Sequence, residues 1–95
     1  MKYSVKFSPE ALKDLDEIFR YINDVLKSPA AAENTINKIL DKTDMLANNP
    51  ELGTQLFFEN NLSSGYRYMI SDNYLAFYRT SSGEVFVDRV IYGRR

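Results

Sequence analysis

Between Pro50 and Gly53 the apolar residues of this chain change period, and that change fixes the order in which secondary structure can appear. Upstream, Leu12, Leu15, Ile18, Phe19, Ile22, Val25 and Leu26 recur at helical spacing, with Lys13, Asp14, Asp16, Glu17, Arg20 and Asp24 on the other face. Two Ser-Pro steps, Ser8-Pro9 and Ser28-Pro29, each supply a hydroxyl N-cap and a proline at the first helical position. The first helix therefore stops near Lys27 and the second begins almost at once, which favours an antiparallel hairpin. Ile36, Ile39, Leu40, Thr43, Leu46 and Ala47 line the second helix on one side, and Asn48-Asn49-Pro50 ends it.

Downstream the period is 2, with β-branched and aromatic residues divided by turn clusters. Gln55–Phe58 reads as a short strand, and Tyr66–Ser71, Tyr74–Arg79 and Val85–Tyr92 as stronger ones. Ser71-Asp72-Asn73 and Ser81-Ser82-Gly83 stand where two tight hairpin turns are needed. Ahead of the helices, Tyr3, Val5 and Phe7 alternate with Lys2, Ser4 and Lys6 as in a strand with one buried face. The expected fold is α+β: an N-terminal strand, an antiparallel helical hairpin, then a three- to four-stranded antiparallel meander with the helices packed on one sheet face. One domain spanning residues 1–95 is expected, with most of the strand aromatics in its core. A chain of this length hides only roughly 60% or a little more of its unfolded surface, so a partner is expected to add stability.

The residue types present narrow the chemistry. There is no cysteine and no histidine, which excludes disulfides, thiolate metal sites, nucleophilic triads and the usual general base near pH 7. No cofactor or metal is expected, and chemistry would fall to Arg, Lys, Tyr, carboxylates or water. The four glycines are scattered at turns and form no phosphate loop. The carboxylate pairs Asp14 with Glu17 and Asp41 with Asp44 are expected on exposed helix faces rather than across a cleft. The N-terminus lacks the apolar region of a signal peptide and no stretch is long enough to span a membrane, so a cytoplasmic location without membrane contact is expected.

Charge is uneven: seven Lys/Arg against ten Asp/Glu up to Leu62, then five against three. The five basic residues of the second part, Arg67, Arg79, Arg89, Arg94 and Arg95, are all arginine, the residue suited to bidentate capture of phosphate or carboxylate. They either pair with Asp72, Glu84 and Asp88 on the strand surface or converge into a phosphate-attracting patch that could bind RNA or an acidic protein segment. Tyr92, just before Gly93-Arg94-Arg95, would present a phenol beside guanidinium groups.

Taken in order, Phe7-Ser8-Pro9-Glu10-Ala11, Asn49-Pro50-Glu51-Leu52-Gly53, Gly65-Tyr66-Arg67-Tyr68, Asn73–Arg79 and Val87–Arg95 resemble the RelE/ParE superfamily, the toxins of bacterial type II toxin-antitoxin pairs. The resemblance spans nearly the whole chain and implies a helical hairpin packed on a twisted antiparallel sheet. It implies one of two activities: cleavage of mRNA on the ribosome, as in RelE-like members, or poisoning of DNA gyrase without nuclease activity, as in ParE-like members. For the ribonuclease branch it implies that Arg67, Arg94 and Arg95 occupy matched basic positions, with Arg79 and Tyr92 as substitutes for unmatched ones. Met69 and Tyr74 stand where that branch has basic residues, and the chain ends at Arg95 before any late tyrosine. The long hairpin and the Arg89–Arg95 ending look more like the ParE side. The resemblance also implies a cognate antitoxin as partner, gyrase or the ribosome with mRNA as target, and no small-molecule substrate. A toxin fold kept only as an antitoxin-binding module is the remaining alternative.

Overall fold

The computed structural model describes residues 2–93. Strand β1 (Ser4–Phe7) is followed by helix α1 (Pro9–Arg20), a π-helical continuation over Tyr21–Val25, helix α2 (Pro29–Asp44) and a 3-10 turn at Met45–Ala47. Strands β2 (Thr54–Phe57), β3 (Ser63–Ser71), β4 (Tyr74–Ser81) and β5 (Glu84–Tyr92) complete one five-stranded sheet in the order β1-β5-β4-β3-β2. The meander β2 to β5 is antiparallel, and β1 adds to β5 in parallel, Ser4 opposite Glu84 and Phe7 opposite Val87. The α+β expectation therefore holds, with the hairpin on one sheet face.

The chain leaves β1 through the cap that the sequence announces. Ser8 Oγ accepts the Ala11 N–H at 3.0 Å and donates to the Asp88 carbonyl at 2.9 Å, so one hydroxyl starts α1 and ties it to β5. Ser28 is different, since its side chain makes no capping bond and Pro29 opens α2.

The core lies between hairpin and sheet: Ala11, Leu15, Ile39 and Leu46 from the helical side against Met69, Ala76, Tyr78, Val85, Val87 and Val90. The apolar stripe of α1 is only partly inside. Leu12, Val25 and Leu26 are more than half exposed, whereas Ala11, Asp14, Leu15 and Ile22 are buried. The inward line thus runs one residue ahead of the leucine at its start and carries an acid, because Asp14 has a partner on β5. The wider π turn then takes Val25 and Leu26 past the sheet. The expectation that Asp14 lies on the exposed face is overturned. So is the expectation that most of the strand aromatics lie in the core: Tyr78 alone of them is fully buried, Tyr3, Phe7 and Tyr74 pack against the core partly buried, and Phe57, Phe58 and Tyr92 are more than half exposed. The physical reason is the missing second layer. Helices cover one face of the sheet, and Tyr68, Phe77 and Phe86 lie half-buried on the other.

Tyr78 closes the end of the core against the loop where the period changes. Its phenol donates to the Pro50 carbonyl at 2.8 Å and accepts the Gly53 N–H at 2.9 Å. A Cβ on Gly53 would sit 2.5 Å from Tyr78 Oη and 2.8 Å from the Tyr68 carbonyl oxygen, so only glycine fits. Tyr78→Phe leaves a buried N–H without its acceptor and is expected to lower stability by about 2 kcal/mol. Gly53→Ala, which displaces the ring as well, should cost more. Urea denaturation of both variants checks this, and losses below about 0.5 kcal/mol would contradict it.

Candidate functional site

Two regions bring charged and aromatic side chains together, one at each end of the β4–β5 pair. The first is an open groove of about 1160 Å³ between the hairpin and the sheet. Ile18, Ile22 and Leu26 form one wall, Tyr74, Val90 and Tyr92 the other, with Glu17, Asp72 and Arg89 among its polar lining. Tyr74 and Tyr92 are cross-strand neighbours packed edge to face, ring centroids 5.6 Å apart at 74°. Burial, then the phenols of Tyr92 and Tyr21, push the Tyr74 phenol above its ordinary pKa.

Asp14 sits at the inner end of this groove. Its carboxylate accepts the Val90 N–H at 2.9 Å and a two-pronged bond from Arg89, Nε at 2.8 Å and Nη2 at 3.1 Å. Beyond Val87 the strand β1 has ended, so this edge of β5 has no strand neighbour among the described residues, and α1 supplies the acceptor. Burial pushes the Asp14 pKa up, but the Arg89 guanidinium and the Val90 N–H together hold it below the usual aspartate value.

The second region lies on the sheet face away from the helices. A register shift between Phe77 and Tyr78 leaves Asp88 without a cross-strand residue of its own. Its carboxylate then receives both the Tyr66 hydroxyl and Arg79 Nε, each at 2.9 Å. The Arg79 guanidinium also lies over the Phe86 ring, 4.7 Å from its centroid. The bond to Asp88 raises the pKa of the Tyr66 phenol and of Arg79 alike.

Of the residues singled out in the sequence, Arg67 and Arg79 come together, lining a pocket of about 150 Å³ with Tyr3, Glu51 and Tyr78. Arg67 Nη1 is engaged there by the carbonyls of Gly53 at 2.9 Å and Glu51 at 3.2 Å. Tyr92 lies apart in the groove. It pairs with Tyr74, five residues along β4 from Arg79, which at strand rise is about 17 Å away. Arg94 and Arg95 lie outside the described residues. Arg79 does pair with Asp88, as the surface reading expects, whereas Arg89 takes Asp14 instead of a strand acid. Sequence reasoning missed the roles of Asp14 and Tyr78, and the Tyr66 hydroxyl that joins Arg79 on Asp88. The one available signal was Asp14 standing three residues from Ala11 and four from Ile18, within the spacing of an inward line. Among the described residues no group of three or more acids could hold a metal ion, and no helix is long and apolar enough to cross a membrane.

Three comparisons bear on this architecture. Residues 5–95 match the family model described as the ParE toxin of the type II toxin-antitoxin system parDE. The chain belongs to that family, within the RelE/ParE superfamily of toxins. A search of curated proteins found no match. Among solved structures, the chain is similar to one from a chromosomal ParDE system of P. aeruginosa, at 22% identity and a TM-score of 0.81 over 98% of each chain. It is also similar to a structure of the RelBE2 toxin-antitoxin complex of Mycobacterium tuberculosis, with 21% identity and a TM-score of 0.68 over 97% of this chain and 92% of that one. An archaeal RelE-RelB complex from Pyrococcus horikoshii OT3 gives 18% and 0.65, over 100% and 99%.

The Asp14 cluster makes a pH prediction. Because its folded pKa is depressed, the stabilisation from Asp14 is complete above the unfolded value of about 3.9 and is lost as pH falls through the folded value. Wild-type stability should therefore drop below about pH 4 more steeply than that of Asp14→Asn, which keeps an oxygen for Val90 but has no charge to lose. Parallel slopes for the two proteins in thermal melts across that range would contradict it.

Proposed function

We propose that this chain, as one toxin domain over residues 1–95, arrests growth by binding and poisoning DNA gyrase, and that a cognate antitoxin neutralises it. The observation that carries this reading is the state of the strand arginines. Each is held by a partner within the fold: Arg67 Nη1 by two backbone carbonyls, Arg79 Nε by Asp88, and Arg89 by Asp14. Metal-free cleavage of a phosphodiester asks for guanidinium groups aimed at developing charge and for a group that moves the proton. With no histidine in the chain and the Tyr78 phenol holding a loop, the described residues favour a surface that binds over one that cuts. Membership of the ParE family points the same way.

Solved relatives named as toxin-antitoxin systems and complexes support an antitoxin as partner. The groove beside Tyr74 and Tyr92 suits an amphipathic segment of such a partner, with its apolar side on Ile18, Ile22 and Val90. A ribosome-dependent ribonuclease is the second reading, favoured by the pocket that Arg67 and Arg79 share. In that case Arg67, Arg79, Tyr92, Arg94 and Arg95 would hold and cut the mRNA.

Adding the purified chain to a translating bacterial extract with a reporter mRNA, and separately to gyrase with relaxed plasmid, separates the two. The gyrase reading expects intact message by primer extension and lost supercoiling. New ribosome-dependent 5′ ends with supercoiling unimpaired would overturn it.

A further inference from the structure

The β2 edge of the sheet carries exposed apolar surface that neither the groove nor the arginine network uses. Leu56, Phe57, Phe58 and Leu62 are 38%, 52%, 58% and 62% exposed. Together they present roughly 400 Å², taking about 150–250 Å² for a whole large side chain. By alternation Phe57 stands on one face of the sheet and Leu56 and Phe58 on the other, so this apolar surface flanks the edge on both sides. Two devices that blunt a strand edge are present, the four-residue length of β2 and the register shift of its pairing with β3 between Gln55 and Phe57, but charge and proline are not. Thr54-Gln55-Leu56-Phe57-Phe58 contains no charge and no proline.

The backbone of β2 says how a second strand would meet it. Phe58 N–H donates to the Leu62 carbonyl, and the Leu56 carbonyl accepts the Ser64 hydroxyl, so the main-chain groups of residues 56 and 58 turn toward β3. By alternation the N–H and C=O of Phe57, between them, face outward along the edge. Antiparallel pairing about a two-fold axis perpendicular to the sheet requires facing residues to share a face, and an axis through Phe57 meets that condition. Phe57 then faces Phe57 of the second copy, and Leu56 faces its Phe58. The charges agree with this register: Glu59 falls opposite Gln55, and no acid meets an acid across the strands.

We propose that the β2 edge is a self-association surface, at which two copies of this chain pair their β2 strands antiparallel about Phe57 to make one continuous ten-stranded sheet. The interface is isologous, as closed dimers are. Its apolar surface is about half of the ~800 Å² per partner that a stable interface buries, so the dimer forms reversibly with concentration. The inference does not depend on which target the toxin has.

Sedimentation equilibrium of the purified chain over a range of concentrations tests it. The apparent mass should rise from 11.0 kDa toward twice that value. Phe57→Lys, which sets two like charges face to face at the axis, should remain monomeric with an unchanged circular dichroism spectrum. Since the chain has no cysteine, Phe57→Cys places a single thiol at the axis. Facing Cα atoms in an antiparallel hydrogen-bonded pair are about 5.5 Å apart, which suits a disulfide. With oxidised glutathione added as the two-electron oxidant, this variant should cross-link about tenfold or more faster than Leu12→Cys, an exposed thiol on α1. A wild-type chain that stays monomeric at every concentration would overturn the proposal. So would a dimer that survives Phe57→Lys and in which Leu12→Cys cross-links as fast as Phe57→Cys.

Discussion

The outer edge of β5 has to find hydrogen-bond partners past the point where its parallel neighbour stops, and much of the molecule is arranged around that need. β1 covers Glu84–Val87; Ser8 then takes the Val87 carbonyl through its N–H and the Asp88 carbonyl through its hydroxyl; Asp14 accepts from Val90. A buried N–H left unmade costs about 1–3 kcal/mol, comparable with a sizeable part of a small domain's stability. The three partners follow one another along a single stretch of chain, from strand through cap to the second turn of helix. That sequence fixes how α1 lies on the sheet. With Ala11, Asp14 and Leu15 inward, Ile18 and Ile22 reach the groove wall while Leu26 overhangs it.

The same constraint explains how the charges are distributed. Arg89 stands opposite Phe77, yet its guanidinium closes on Asp14, neutralising an acid that would otherwise be buried with only a backbone partner. At the register shift, Asp88 gathers Arg79 and Tyr66 on the uncovered face, and Arg67 is drawn to the carbonyls of the loop before β2. An arginine-rich second half therefore does not make a strongly positive sheet. It makes a sheet whose described strand arginines brace strands and loops, with an apolar groove at one end and an apolar edge on the far side.

Local signals were legible and distant ones were not. The Ser8-Pro9 cap, the turn clusters, the helical hairpin and the four later strands all follow from residues within a few positions of one another. The order β1-β5-β4-β3-β2 does not, because nothing near Tyr3–Phe7 says that a strand will pair with one some eighty residues away. Asp14 was misplaced for the same reason: its partners are 75 and 76 residues distant, and spacing alone groups an acid with the solvated side. The two Ser-Pro steps look equivalent in sequence, yet only Ser8 has a capping side-chain bond. Aromatic alternation marked the strands but not which face would stay uncovered, so Tyr68, Phe77 and Phe86 read as core. Within the candidate site, residue types were legible from the arginines and Tyr92. Their separation into two regions, with Arg67 and Arg79 in one and Tyr92 in the other, came from the register.

Amide hydrogen exchange at Val90 tests the role of Asp14 most directly. In the wild-type chain the Val90 N–H should exchange only with global unfolding, as the neighbouring core amides of Val85 and Val87 do. In Asp14→Ala it should exchange far faster while Val85 and Val87 keep their protection relative to the variant's own stability. A Val90 amide that exchanges quickly in the wild type, or one unchanged by Asp14→Ala, would contradict the hand-off of the β5 edge from β1 to α1.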